Sequence, residues 1–156
     1  VRAVSRRDLV ASVAGLLLMG TAGVVLYSAW SDRGVEVTVP SYAGSGCSSV
    51  RWPSEVAGEK AVATDPRSER TAAWGDPAVI ASCGWPALGP TSDECIDVDG
   101  VYWVVQPLSD GAKFTTYGRD PAIVVLVPKA YAPEPLLLPA FADAAKALPD
   151  TGRRCS

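Results

Sequence analysis

The chain has 156 residues, enough for one domain once a membrane or targeting segment is set aside. Residues 1–34 carry four arginines against two aspartates, net +2, and the remainder carries 10 basic and 15 acidic residues, net −5, which sum to the overall −3. An acidic body with scattered cations excludes a nucleic-acid partner, whose phosphates need clustered positive charge. The complete lack of histidine removes the usual general base near neutrality, the Ser–His and Cys–His nucleophiles and the commonest transition-metal ligand.

Residues 1–8 form a basic flank with Arg2, Arg6 and Arg7, and residues 9–30 follow as 22 positions without a charge. As a helix that run is about 33 Å long, enough for a hydrocarbon core of about 30 Å. The arginines keep the N-terminus cytoplasmic and place everything beyond the segment outside, with Tyr27 and Trp30 at the outer interface. The expectation is a single-pass cell-membrane protein with an extracytoplasmic C-terminal domain. A cleaved signal ending at Ala29-Trp30-Ser31 is the rival reading, and Arg6-Arg7 also resembles a twin-arginine export signal.

Residues 31–46 read as a stalk, with Val35, Val37 and Val39 alternating before Pro40 and a flexible Gly/Ser run. The domain proper is expected over 47–156. A short helix is predicted over 47–52, short strands over 59–63 and 70–74, and a turn at Trp74-Gly75-Asp76-Pro77. An apolar run over 78–82 leads into Cys83, and 83–100 reads as a long connection rich in Gly, Pro and acid. Asp99-Gly100 and Asp110-Gly111 are tight-turn signals, the first preceding VYWVVQPL and the second separating it from AKFTTYG, which predicts a hairpin. With 122–127 as a buried strand, three neighbouring antiparallel strands follow.

Over 134–148, Leu137, Leu138, Phe141, Ala144, Ala145 and Leu148 recur at three- and four-residue intervals and define one apolar helical face. The expected fold is α+β: an N-terminal transmembrane helix, then a small antiparallel sheet packed by one long and one short helix, with two disulfides. Four cysteines at gaps of 35, 11 and 59 residues lack the paired spacing of structural zinc sites, and no Cys-x-x-Cys is present. Disulfides are therefore expected; of the three pairings the sequence permits, Cys83–Cys95 closing the long connection with Cys47–Cys155 joining the domain's ends is favoured, and no cofactor or metal is expected.

Candidate binding residues are Trp85 in the presumed disulfide-bounded loop, Arg119 after Gly118 as a bidentate carboxylate ligand, and Trp74, one of several tryptophans. Asp97, Asp99 and Lys113 are the available acid–base groups, with a solvating turn and an exposed strand face as their structural alternatives. Asp97-Val98-Asp99-Gly100 does not extend to a calcium loop, because the first and twelfth ligand positions would be Cys95 and Gln106.

The signposts Cys47, Ala73-Trp74-Gly75-Asp76-Pro77, Cys83-Gly84, Cys95, Gly100-Val101-Tyr102-Trp103 and Tyr117-Gly118-Arg119-Asp120-Pro121 together resemble an actinobacterial exported family. It is known as the domain of unknown function 3515. The resemblance covers roughly 47–148 and implies an N-terminal membrane segment and an envelope location, but no reaction. The functional expectation is a non-enzymatic, membrane-tethered accessory protein that binds another membrane or cell-envelope protein. A module for wall glycan or a small ligand is the alternative, and a histidine-free enzyme the third.

Overall fold

The structure is a computed structural model that describes residues 34–42 and 45–155. The basic flank and the apolar segment at 9–30 lie outside the described residues. Among the described residues no helix is long and apolar enough to cross a membrane.

The described residues contain ten strands: β1 (Val35–Glu36), β2 (Glu55–Val56), β3 (Glu59–Val62), β4 (Thr64–Asp65), β5 (Thr71–Trp74), β6 (Val79–Trp85), β7 (Cys95–Val98), β8 (Val101–Leu108), β9 (Gly111–Tyr117) and β10 (Ala122–Pro128). Eight of them form one antiparallel sheet in the order β2-β3-β5-β6-β10-β9-β8-β7, while β1 pairs in parallel with β4. The sheet is two meanders joined where β6 meets β10. The predicted β8–β9 hairpin and its β10 neighbour form its centre and one half.

Both aspartate–glycine signals mark turns, for different reasons. Asp99 and Gly100 have φ of 52° and 76°, and the Asp97 carboxylate accepts the Gly100 N–H at 2.8 Å, which suits a two-residue hairpin turn. Gly111 is not in a left-handed conformation. It lies so close to the Val127 carbonyl of β10 that a Cβ would overlap it.

Strand alternation divides the sheet into two unlike faces. Trp74, Val79, Ala81, Cys83, Val101, Trp103, Phe114, Ile123, Val125 and Val127 point into the main core with Leu138, Phe141, Ala142, Ala144 and Ala145 of the C-terminal helical segment and Leu148 just past it. Trp74 is its pivot: the ring stands edge-on to Phe141 at 5.4 Å and to Trp52 at 6.5 Å, and its Nε1–H donates to the Pro53 carbonyl at 2.9 Å.

That helical segment runs for 13 residues, as a 3-10 stretch over Glu134–Phe141 followed by α1 (Ala142–Lys146). The expected apolar positions are on its buried side, but only its last part is α-helical. Pro135 and Pro139 both lack an N–H, so the i→i−4 ladder cannot run through them. The expected short helix is a 3-10 turn, Cys47–Ser49.

Three expectations need correction. The presumed stalk is part of the body: the compact unit begins at Gly34, β1 pairs with β4, and Val37 and Pro40 are buried. The presumed connection 83–100 is shorter than expected, because β6 extends to Trp85 and β7 occupies Cys95–Val98, which leaves 86–94 as the link.

The third correction is the disulfide pairing, which is Cys47–Cys83 and Cys95–Cys155. Cys83 and Cys95 belong to strands four positions apart in the sheet, roughly 19 Å at about 4.8 Å per strand. They also face opposite sides, since Cys83 points into the core with Ala81 whereas Ile96, beside Cys95, is the residue packed against it. A disulfide tolerates a Cα separation of at most about 7 Å, and both observed bridges have 5.8 Å.

Candidate functional site

The second sheet face carries the surfaces that differ from an ordinary solvated exterior. Register places Ile80, Leu126, Lys113 and Gln106 in one cross-strand row on it, and Ser82, Val124, Thr115, Val104 and Cys95 in the next. Ser82, Val124, Thr115 and Val104 are buried although they lie away from the main core. Trp85 accounts for part of that cover. The register shift between Ala122 and Ile123 carries its ring onto this face, where Nε1–H donates to Ser82 Oγ at 2.8 Å.

At one end of this face an apolar groove of about 460 Å³ runs between Pro77, Ile80, Leu108, Leu126 and Pro128. Leu108 is 46% exposed at its rim. Asp110 and Lys129 supply charge at the edge.

At the other end the C-terminal tail crosses the sheet. The Thr151 N–H donates to Gly118 O at 2.9 Å, and Arg153 Nη1 donates to the Leu88 carbonyl. Arg154 donates to both Asp150 carboxylate oxygens at 3.0 and 3.1 Å, and its guanidinium lies 5.8 Å from the Tyr102 ring centroid. Tyr102 and Tyr117 are directly opposite across β8 and β9. A recess of about 320 Å³ is lined by Asp93, Glu94, Tyr117, Arg154 and both cysteines of the Cys95–Cys155 bridge.

The electrostatics of this end are local. The hydrogen bond from Arg154, with a further one from the Gly152 N–H, holds the Asp150 carboxyl at about 2, below its ordinary 3.8. The same pairing raises the pKa of Arg154.

The structure separates the three candidate binding residues. Trp74 is fully buried at the centre of the core and presents nothing to a ligand. Trp85 is half-buried at the end of β6, with its N–H committed to Ser82. Arg119 donates from Nη1 to the Leu148 carbonyl at 3.0 Å, which caps the end of the helical segment rather than a free carboxylate. Asp97 is consumed by its own turn, and Lys113 is half-buried in the row beside the groove.

Sequence reasoning passed over Tyr102, Tyr117, Leu108, Asp150 and Arg154. The hairpin was within reach, but its register was not. The sequence signal at Asp110-Gly111, taken as a two-residue turn, would set Tyr102 opposite Arg119; the turn instead falls on Ser109-Asp110, sets Leu108 against Gly111 and brings Tyr102 opposite Tyr117. The tail's position had no comparable signal.

Fold and site together define a disulfide-tied antiparallel α+β domain with one closed and one partly open sheet face. The model of the family described as "Protein of unknown function (DUF3515)" matches residues 13–151, and the chain belongs to that family. Searches of curated proteins and of solved structures each return no match.

Proposed function

We propose that this chain is a non-enzymatic accessory domain of the cell envelope, held outside the cytoplasmic membrane by residues 9–30, which binds another membrane or envelope protein. The observation that carries the reading is the pairing of all four cysteines in two bridges, one of them inside the core. Such cross-links belong to oxidising compartments. The uncharged 22-residue run behind a basic flank supplies the matching tether. The exported, actinobacterial character implied by the family resemblance agrees with it.

The contact surface in this reading is the apolar groove, whose Leu108 rim and Ile80–Leu126 floor suit one or two apolar side chains of a partner protein. A photo-crosslinking amino acid at Leu108 in intact cells tests it, together with a C-terminal reporter active only outside the cytoplasm. The expected result is an external reporter and a discrete adduct to a membrane or envelope protein, abolished by Ile80→Asp. A cytoplasmic reporter signal, or recovery of the uncrosslinked monomer alone, overturns the proposal.

A further inference from the structure

The two disulfides occupy unlike environments. Cys47 and Cys83 are 7% and 0% exposed and belong to the core. Cys95 and Cys155 are both half-buried and line the recess shared with Asp93, Glu94, Tyr117 and Arg154. Thiol–disulfide exchange requires a thiolate to reach one sulfur of the bridge, so access decides which bridge reacts in the folded state. Among the described residues, the second bridge lines an open recess whereas both residues of the first are buried.

We infer that Cys95–Cys155 is a thiol-exchange site for a dithiol reductant, and that its reduction unlatches the C-terminal tail from the open sheet face while Cys47–Cys83 keeps the core closed. One thiolate of the reductant attacks a sulfur of the bridge, forms a mixed disulfide and expels the other cysteine as a thiolate. The second thiolate of the reductant then displaces the attached cysteine. The reductant leaves as its own disulfide, and two electrons and the two protons of its thiols end on Cys95 and Cys155.

The geometry explains why release follows. Beyond the disulfide, the tail is held at its base by an antiparallel bridge between Arg119 and Asp150, with hydrogen bonds from Thr151 N–H to Gly118 O and from Asp120 N–H to Pro149 O, then by the Arg153 to Leu88 contact and by Arg154 over the Tyr102 ring. These are a few hydrogen bonds and one cation–π contact at a partly exposed surface, each weak alone. The Asp150–Arg154 pair lies within the tail and does not anchor it to the sheet. Departure of the tail uncovers Tyr102 and Tyr117 side by side, a surface the oxidised form partly covers. The inference holds wherever the domain resides, so its failure leaves the envelope reading untouched.

The test uses the full oxidised chain under native conditions with graded dithiothreitol as the dithiol, followed by alkylation and peptide mass mapping. Cys95 and Cys155 are expected to label at least about tenfold faster than Cys47 and Cys83, the difference vanishing in denaturant. Trypsin should then cut after Arg153 and Arg154 faster than in the oxidised chain. The double variant Cys95→Ser/Cys155→Ser should reproduce that cleavage without reductant while retaining the Cys47–Cys83 cross-linked peptide. Simultaneous labelling of all four cysteines, labelling of the second pair only after denaturation, or unchanged tryptic cleavage in the double variant overturns the inference.

Discussion

The guanidinium of Arg119, on the β9–β10 connection, donates to the backbone carbonyl of Leu148 at 3.0 Å, just past the last turn of α1. It fastens the C-terminal helical segment to the sheet end and satisfies a carbonyl that the helix cannot. Arg119→Ala should lower the unfolding free energy by about 1–3 kcal/mol, read as a lower urea midpoint with an unchanged slope. An unaltered midpoint would show that the contact contributes nothing and return Arg119 to the pool of free binding residues.

Trp74 joins ring packing to a hydrogen bond in the closed face. Trp74→Ala is expected to cost about 3–5 kcal/mol. Trp74→Phe keeps most of the packing but leaves the Pro53 carbonyl without its donor, for about 1–3 kcal/mol. Calorimetry on both variants separates the two contributions, and the ordering Ala worse than Phe is the outcome to check.

Gly111 and Gly100 should respond differently to alanine. At Gly100 nothing lies within 4 Å of a new Cβ, so the cost is that of φ +76° alone, about 1–2 kcal/mol. At Gly111 the Val127 carbonyl blocks the Cβ and β9 must move away from β10. That change should cost about 2–4 kcal/mol and deprotect β10 amides in hydrogen exchange, which Gly100→Ala should leave intact.

Acid should remove the internal Asp150–Arg154 ordering of the tail. Asp150 has a folded pKa of about 2 against an ordinary 3.8, because it accepts hydrogen bonds from Arg154 and the Gly152 N–H. A depressed carboxyl contributes stability above the unfolded value and loses it as pH falls through the folded one. The Asp150–Arg154 ordering should therefore be complete above about pH 3.8 and disappear toward pH 2. Carboxyl NMR titration should give a midpoint near 2 for Asp150, and Asp150→Asn should raise proteolysis after Arg154 at neutral pH. A midpoint at the ordinary value would remove the pair from the account.

Much of the second meander was written locally. Asp99-Gly100, Asp110-Gly111 and the β-branched runs around them specify turns and strand type within a few residues, and β8, β9 and β10 appear where those signals lie. The apolar face of the last segment was equally legible, because its spacing survives the change from α to 3-10 geometry imposed by Pro135 and Pro139. The strand content of 83–100 was not, since Gly84 and the prolines near it read as loop while β6 and β7 gain their order from partners far along the chain.

The candidate site shows the same division. Trp74 and Arg119 carry the chemistry of binding residues, yet one is core and the other a cap, because burial and partner are properties of the packed chain. By itself, the sequence determined the four-cysteine inventory, the uncharged 22-residue run, the hairpin and the absence of histidine chemistry. Only the tertiary structure decided which cysteines pair, that residues 34–42 join the body, and that the tail ends beside β7. The reason is physical: turn and periodicity signals act over a few residues, whereas a disulfide needs two Cα atoms within about 7 Å, and strand order alone sets which residues come that close.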